Sequence, residues 1–368
     1  MKMVQLDNQN MRRLRAALLR WYDRHKRDMP WREPRPDPYR VLVSEAMLQQ
    51  TQVATVIAYF ERFVARWPTV RDLAAAEEQE VLRMWQGLGY YRRARHLHAA
   101  AKAIVEQHSG VVPDTVEGLL SLPGVGRYTA GAVASIAFGR RAAVLDGNVM
   151  RVLARVLAVR ESIDDAEVKA ALWDAAEHLV PGARPGDFNQ AMMELGAMVC
   201  VPRNPQCLMC PIAGVCRANA KGIVERLPVR AKPQAARAVT HHVVAVQWGT
   251  AFLFEQRPSR GLWSNMWQMP TAEALPGEAD AVALRRWLKD HCGCRLNGVT
   301  RIGSFAHQTT HRAITFVVWS GRAIGKQESR GSTCWRAIDA LDDLPLSKAQ
   351  QRALKLVRAA ANPESAAR

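Results

Sequence analysis

Glu45 is the first residue of this chain whose surroundings call for an explanation. It lies among Val41, Leu42, Val43, Ala46, Met47 and Leu48, where an acid is costly to bury. A carboxyl in such surroundings keeps its proton to higher pH, as a general acid near neutrality must. For any one Glu, a place on the exposed stripe of an amphipathic helix is nonetheless the commoner outcome. A second carboxylate, Asp146, stands at the N-terminal boundary of a helix expected from Val149, and capping alone explains it. It becomes catalytic only if another carboxylate converges on it.

Thiols make the second group. Four of the seven cysteines fall between Cys200 and Cys216, spaced Cys200-x6-Cys207-x2-Cys210-x5-Cys216, while Cys292, Cys294 and Cys334 show no framework. Such clustering points to metal ligation in a reducing compartment rather than to disulfides. One C-x2-C hook instead of two leaves zinc and an iron-sulfur cluster both open.

The elements that must position these groups centre on LLSLPGVGRYTAGAVASIAFGRRAAVLDGN, residues 119–148. Leu122, Pro123, Gly124, Val125 and Gly126 form a hairpin between two helix-like runs. Gly124 and Gly126 permit positive φ and close approach of backbone to a ligand, and Pro123 fixes φ at the start. Amides at the start of the helix near Arg127 then suit a phosphate. A lone G-x-G is more often an unliganded turn.

The rest of the chain supplies context. Lys and Arg exceed Asp and Glu by 51 to 34, a formal charge of +17 over 368 residues, which favours a polyanionic partner. No run of 18 uncharged apolar residues exists, and MKMVQLDNQN has no apolar core of a secretory signal. Helices are expected over residues 9–27, 40–67, 165–180 and 187–201 and from Val149 onward. Trp31 and Arg32 follow the first of these, placed either to cap a core or to contact a base. Gln49, Gln50 and Thr51 could read a base edge. A glycine-punctuated turn, GLGYYRRAR, presents Tyr90 and Tyr91 among basic side chains, placed either to wedge into a duplex or to pack on a helix start. After a basic, proline-containing linker the period changes to strands at 241–248, 251–256 and 313–319 with a helix at 280–289. The expected domains are therefore 1–225, a linker 226–237, and an α/β domain 238–360.

With these in order, the chain resembles the helix-hairpin-helix base-excision glycosylases. SEAMLQQTQV, PWR, GLGYYRRAR, LPGVGRYTAGAV, LDGNV and FNQAMMELGAMVC narrow the resemblance to adenine DNA glycosylases of the MutY family over about residues 10–225. FLFEQRPSRGLW and GSFAH are similar to that family's Nudix-like tail. The resemblance implies an all-α helix-hairpin-helix domain with a cluster loop, then an α/β Nudix-like domain. It implies a 4Fe-4S cluster on Cys200, Cys207, Cys210 and Cys216. It implies a monomer acting on double-stranded DNA, in a bacterial-type cytoplasm and nucleoid, that excises adenine mispaired with 8-oxoguanine or guanine.

Residue by residue, the resemblance makes Glu45 the general acid and Asp146 the group stabilising an oxocarbenium-like sugar. Tyr128 and Asn148 support the intermediate; Trp31, Arg32 and Gln190 line the adenine pocket. Gln50, Thr51, Leu88, Tyr90 and His307 face 8-oxoguanine. Endonuclease III-type lyases have Lys where Tyr128 stands, and a tyrosine forms no Schiff base, so a monofunctional glycosylase is expected. Two departures matter. Met150 replaces a Lys of some members, and Phe305-Ala306-His307 replaces a frequent Phe-Ser-His, which removes a hydroxyl from the tail. The region GEADAVALRRWLKDHCG lacks the acid pair of a Nudix hydrolase. A DNA-binding module without catalysis is argued against by the joint presence of Glu45 and Asp146.

Overall fold

The computed structural model describes residues 6–232, 235–273, 281–325 and 332–361. Residues 233–234 of the expected linker and 277–280 of the region matching the Nudix box lie outside the described residues. Packing divides the chain into two compact units, Met1–Ala75 with His96–Pro233, and Ala76–Arg95 with Gln234–Arg368. The segment Ala76–Arg95 therefore packs with the tail, although it lies inside the first domain as bounded by sequence.

The first unit is helical over its described residues, apart from one isolated bridge between Ser162 and Val229. The helix Pro38–Leu48 is buried over most of its surface, from Tyr39 to Met47. A helix apolar nearly all round belongs at the centre of a bundle, and this is what carries Glu45 inside. It starts with Pro38 in the first turn and with Asp37 accepting from the Tyr39 N–H at 2.8 Å. The single helical region expected over residues 40–67 is two helices, Pro38–Leu48 and Val53–Arg66. They part at Gln50, whose φ of +57° is uncommon for a residue with a side chain.

Helix Pro185–Met198 packs on Asn8–His25, Arg127–Phe138 and Gly147–Leu157, around a core of Leu14, Leu18, Val152, Leu153, Phe188 and Leu195. Glycines set two close approaches within this packing. A Cβ on Gly196 would lie 2.7 Å from the Asn148 Cβ, and one on Gly131 would run into the Ala143 carbonyl. Gly124 takes φ +73°, as the hairpin requires, and Gly126 precedes Arg127–Phe138 without a side-chain cap. The first amides of that helix are thus left without a capping side chain, the condition for an anion site.

In the second unit a mixed sheet runs β3-β2-β1-β6-β5, with β4 (Thr271–Ala272) pairing β1 and β7 (Thr333–Ala337) pairing β2. The strands on this path are β1 (Arg237–Trp248), β2 (Ala251–Gln256), β3 (Trp267–Gln268), β5 (Thr300–Gln308) and β6 (Arg312–Arg322). β1 and β6 are parallel; β5 and β6 are antiparallel, with Phe305 opposite Phe316 and His307 opposite Ile314. Alternation along β1 sends Val243 and Ala245 to a core with helix Lys348–Ala361, and Val244 and Val246 to a second core with helix Ala281–Cys292. Among the described residues no helix is long and apolar enough to cross a membrane.

Candidate active site and cluster loop

One cavity of the first unit collects eight of the residues singled out by sequence: Trp31, Arg32, Glu45, Thr51, Tyr128, Asp146, Asn148 and Gln190. They come from five stretches of chain, and the packing just described is what joins them. Glu45 is 4% exposed, and burial raises its pKa to about 7. The Tyr128 hydroxyl donates to Glu45 Oε2 at 2.6 Å and draws that pKa down; the nearby Asp146 pushes it up. Tyr128 is itself held well above the usual tyrosine range, first by burial and then by Glu45, so it stays a donor.

Asp146 differs in kind. Its Oδ1 accepts from the Val149 N–H at 2.7 Å, and its Oδ2 from the Asn148 side-chain amide at 3.0 Å. Burial still raises its pKa, but both of these bonds oppose the rise. One carboxyl is thus set to carry a proton and the other is solvated by fixed donors. Two carboxyls whose environments differ in this way are equipped to serve as an acid and an anion.

The pocket also contains acid and base groups that the sequence reading missed. Glu194, 1% exposed, accepts from Arg27 Nε at 2.8 Å and pairs with Arg32 Nη1 at 2.7 Å. Arg32 also donates through Nε to Gln190 Oε1 at 2.8 Å, so Glu194 fixes the arginine and the arginine fixes the glutamine. Glu194 sits in AMMELGAM, an acid in an apolar run, which is the same signal that pointed to Glu45.

Arg151 extends the network away from the pocket. Its Nη2 donates to Asn148 Oδ1 at 2.8 Å and to the Gly196 carbonyl at 2.7 Å, and its Nε to the Cys200 carbonyl at 2.8 Å. Asn148 therefore bridges Asp146 and Arg151, and Arg151 reaches the first cysteine of the loop. Arg155, 1% exposed, completes the tie: it donates to the carbonyls of Val201 at 2.8 Å and Leu227 at 2.9 Å, and to the Cys200 sulfur at 3.3 Å.

Cys200, Cys207, Cys210 and Cys216 line a single apolar cavity with Val152, Val156, Leu195 and Ile212. All four are free thiols. Among the described residues no three His, Cys, Asp or Glu side chains converge on one ion position. Four soft donors around one apolar cavity suit a metal centre held by thiolates.

The other predicted residues lie elsewhere. Gln50 occupies the break between helices and is not among the residues lining the pocket. Leu88, Tyr90 and His307 belong to the second unit. Leu88 is buried at 7% exposure while Tyr90 is 50% exposed with φ +48°. His307 lies 5.7 Å from the ring of Trp263, and burial lowers its pKa, with Arg352 and Lys348 adding to the effect. Arg352 donates to the Ala306 carbonyl at 2.7 Å and lies 4.3 Å over Phe305, which fixes the backbone where the expected serine is missing.

Comparison with known proteins agrees with this anatomy. A family model for HhH-GPD superfamily base excision DNA repair proteins matches residues 43–178, one for the iron-sulfur binding domain of endonuclease III matches 200–216, and one for the NUDIX domain matches 242–356. The loop is thus an iron-sulfur binding segment. Adenine DNA glycosylase of Homo sapiens is 39% identical over 83% of this chain and 66% of its own length. That of Rattus norvegicus is 40% identical over 83% of this chain and 70% of its own. Among solved structures, a thermostable thymine-DNA glycosylase aligns with 58% of this chain and 98% of its own at 32% identity, with a TM-score of 0.53. That structural likeness covers little more than half of this chain; the extent of the match to the rat protein, 40% identical over 83% of this chain and 70% of its own, places the chain in the adenine DNA glycosylase family.

Proposed function

We propose that the chain removes adenine paired with 8-oxoguanine or guanine in duplex DNA, leaving an abasic site. The observation that carries the reading is the 2.6 Å hydrogen bond from Tyr128 to a buried Glu45 in the cavity that also holds Asp146. Adenine inside a duplex is out of reach of a buried acid, so the base is flipped into the pocket, where Trp31, Arg32 and Gln190 meet it. Glu45 gives its proton to a ring nitrogen, and the C1′–N bond breaks with its electron pair leaving on neutral adenine. The positive charge that develops on the sugar falls beside the Asp146 carboxylate, which Asn148 and the Val149 N–H already orient. Water then adds to C1′, and its proton returns to Glu45.

Tyr128 has no amine with which to form a Schiff base, which supports hydrolysis without strand cleavage. The four cysteines would hold a 4Fe-4S cluster that cross-links a helix end to a loop, while Arg151 and Arg155 tie that loop to the pocket helix. Gln50, Thr51, Leu88, Tyr90 and His307 are assigned to the base opposite adenine, and the hairpin Leu122 to Gly126 to a phosphate. The protein is taken to act as a monomer. Single-turnover assays on duplexes with adenine opposite 8-oxoguanine, adenine opposite thymine, and an oxidised pyrimidine test the reading. Excision from the first alone, with strand breaks appearing only after alkali, is the expected result. Removal of the pyrimidine, or stoichiometric cutting without alkali, contradicts it.

A further inference from the structure

The turn that carries Tyr90 is bonded into the sheet unit through a helix whose residues have no other assigned task. From helix Glu78–Met84, Gln79 uses both ends of its amide: Nε2 donates to the Asn265 carbonyl at 3.0 Å, and Oε1 accepts from Trp267 Nε1 at 3.1 Å. Asn265 Nδ2 donates to Glu78 Oε1 at 2.6 Å. Gln86, at the start of the turn, accepts from the Leu346 N–H at 3.0 Å, and Arg95 donates to the Ser259 carbonyl at 3.2 Å and to the Ser264 hydroxyl. At the exposed tip, Tyr90 Oη and Thr310 Oγ1 are 3.2 Å apart, three residues along the chain from His307.

The receiving loop is shaped for this contact. Trp263 and Asn265 both take positive φ, +54° and +61°, a conformation that costs energy for residues with side chains. That strain brings the Asn265 side chain and carbonyl to Glu78 and Gln79, and Trp263 to the ring of His307. The wedge turn has its own internal bonds, from Trp85 Nε1 and Arg93 Nη2 to the Gly89 carbonyl, at 3.2 Å and 3.1 Å. It is a preformed shape whose position is set by what its flanks are attached to.

We propose that Gln79, Asn265 and Trp267 are positioning residues for reading the base opposite adenine: they lock the Tyr90 turn in register with the strand carrying His307, so that the two act as one reading surface. The proposal rests on the roles assigned above to Tyr90 and His307. None of the three residues needs to touch DNA for this. Their effect falls on discrimination rather than on the chemical step, because the pocket with Glu45 and Asp146 belongs to the other unit.

The test uses the full chain in single-turnover excision at saturating protein, with adenine opposite 8-oxoguanine and adenine opposite guanine. Q79A/N265A, which removes the shared bonds, is expected to lower the preference for the 8-oxoguanine duplex about tenfold, with the guanine duplex changed less than about twofold. Added to Tyr90→Ala, the same pair is expected to cost less than about twofold more, since it acts through that residue. W267F, which keeps an aromatic side chain but loses the indole N–H together with the pyrrole part of the ring, is expected to give about a threefold loss and serves where the double variant melts early. A wild-type protein with no preference defeats the assigned reading roles themselves. A wild-type preference that Q79A/N265A or, where that variant melts early, W267F retains overturns the clamp. So does equal loss on both duplexes, or full additivity with Tyr90→Ala.

Discussion

The pocket around Glu45 and the surface around Tyr90 solve opposite problems. Glu45 is almost wholly shielded, and its shielding is its chemistry, because burial raises its pKa to about 7. Tyr90 is half exposed, and what matters is the accuracy with which something else holds it. In the roles proposed for them, Glu45 becomes a proton donor by the removal of water, whereas Tyr90 must stay in water to read DNA and borrow rigidity from its surroundings. Perturbing the first region should therefore change rate and pH dependence, and perturbing the second should change substrate choice.

The largest effects are expected in the pocket. Asp146→Asn should lower excision about 10³-fold or more, since the developing sugar cation loses its fixed anion. Next is Arg151, which bridges Asn148 and the Cys200 carbonyl. Replacing it with Ala should cost roughly 10- to 100-fold in excision and weaken retention of the cluster, read by iron content and visible absorbance. A variant that kept both would show that the bridge is incidental.

Tyr128→Phe should cost about tenfold and also move the pH profile. The tyrosine hydrogen bond lowers the Glu45 pKa, so its removal should shift the alkaline limb to higher pH. A shift the other way would mean that the hydroxyl favours the protonated acid. Smallest of all, His307→Ala should change excision about threefold, on the 8-oxoguanine duplex only.

Glu45 also makes a stability prediction with a definite sign. Its pKa is raised on folding, from 4.5 to about 7, so the folded state binds the proton more tightly. The advantage of the neutral acid is complete below pH 4.5 and is lost as pH rises through about 7. Glu45→Gln should therefore leave the melting temperature near wild type in mild acid and raise it at pH 8, where a buried carboxylate is costly.

How legible each region was follows from the same contrast. An acid in an apolar run is visible in sequence because it violates burial, and Glu45 and Glu194 both do so. Asp146 was legible as a cap, and that it meets Glu45 in one cavity depends on close packing at Gly131 and Gly196 that no local pattern states. The helices came through their period and caps, while the break at Gln50 did not, since left-handed backbone at a glutamine leaves no mark in composition. In the sheet, β5 went unseen because its polar residues and partial burial give no clean alternation. Least legible was the attachment of Ala76–Arg95 to the tail, made by amide and indole groups on helix and loop that are unremarkable one at a time.

The central claim is that Glu45 delivers the proton that lets adenine leave. Single-turnover excision opposite 8-oxoguanine, followed from pH 5 to 9 in wild type and in Glu45→Gln, tests it most directly. Wild type should lose about tenfold per unit above a midpoint near 7, and the variant should be slower by about 10³-fold with that limb gone. A variant that excised at the wild-type rate, or kept the same alkaline limb, would contradict the account.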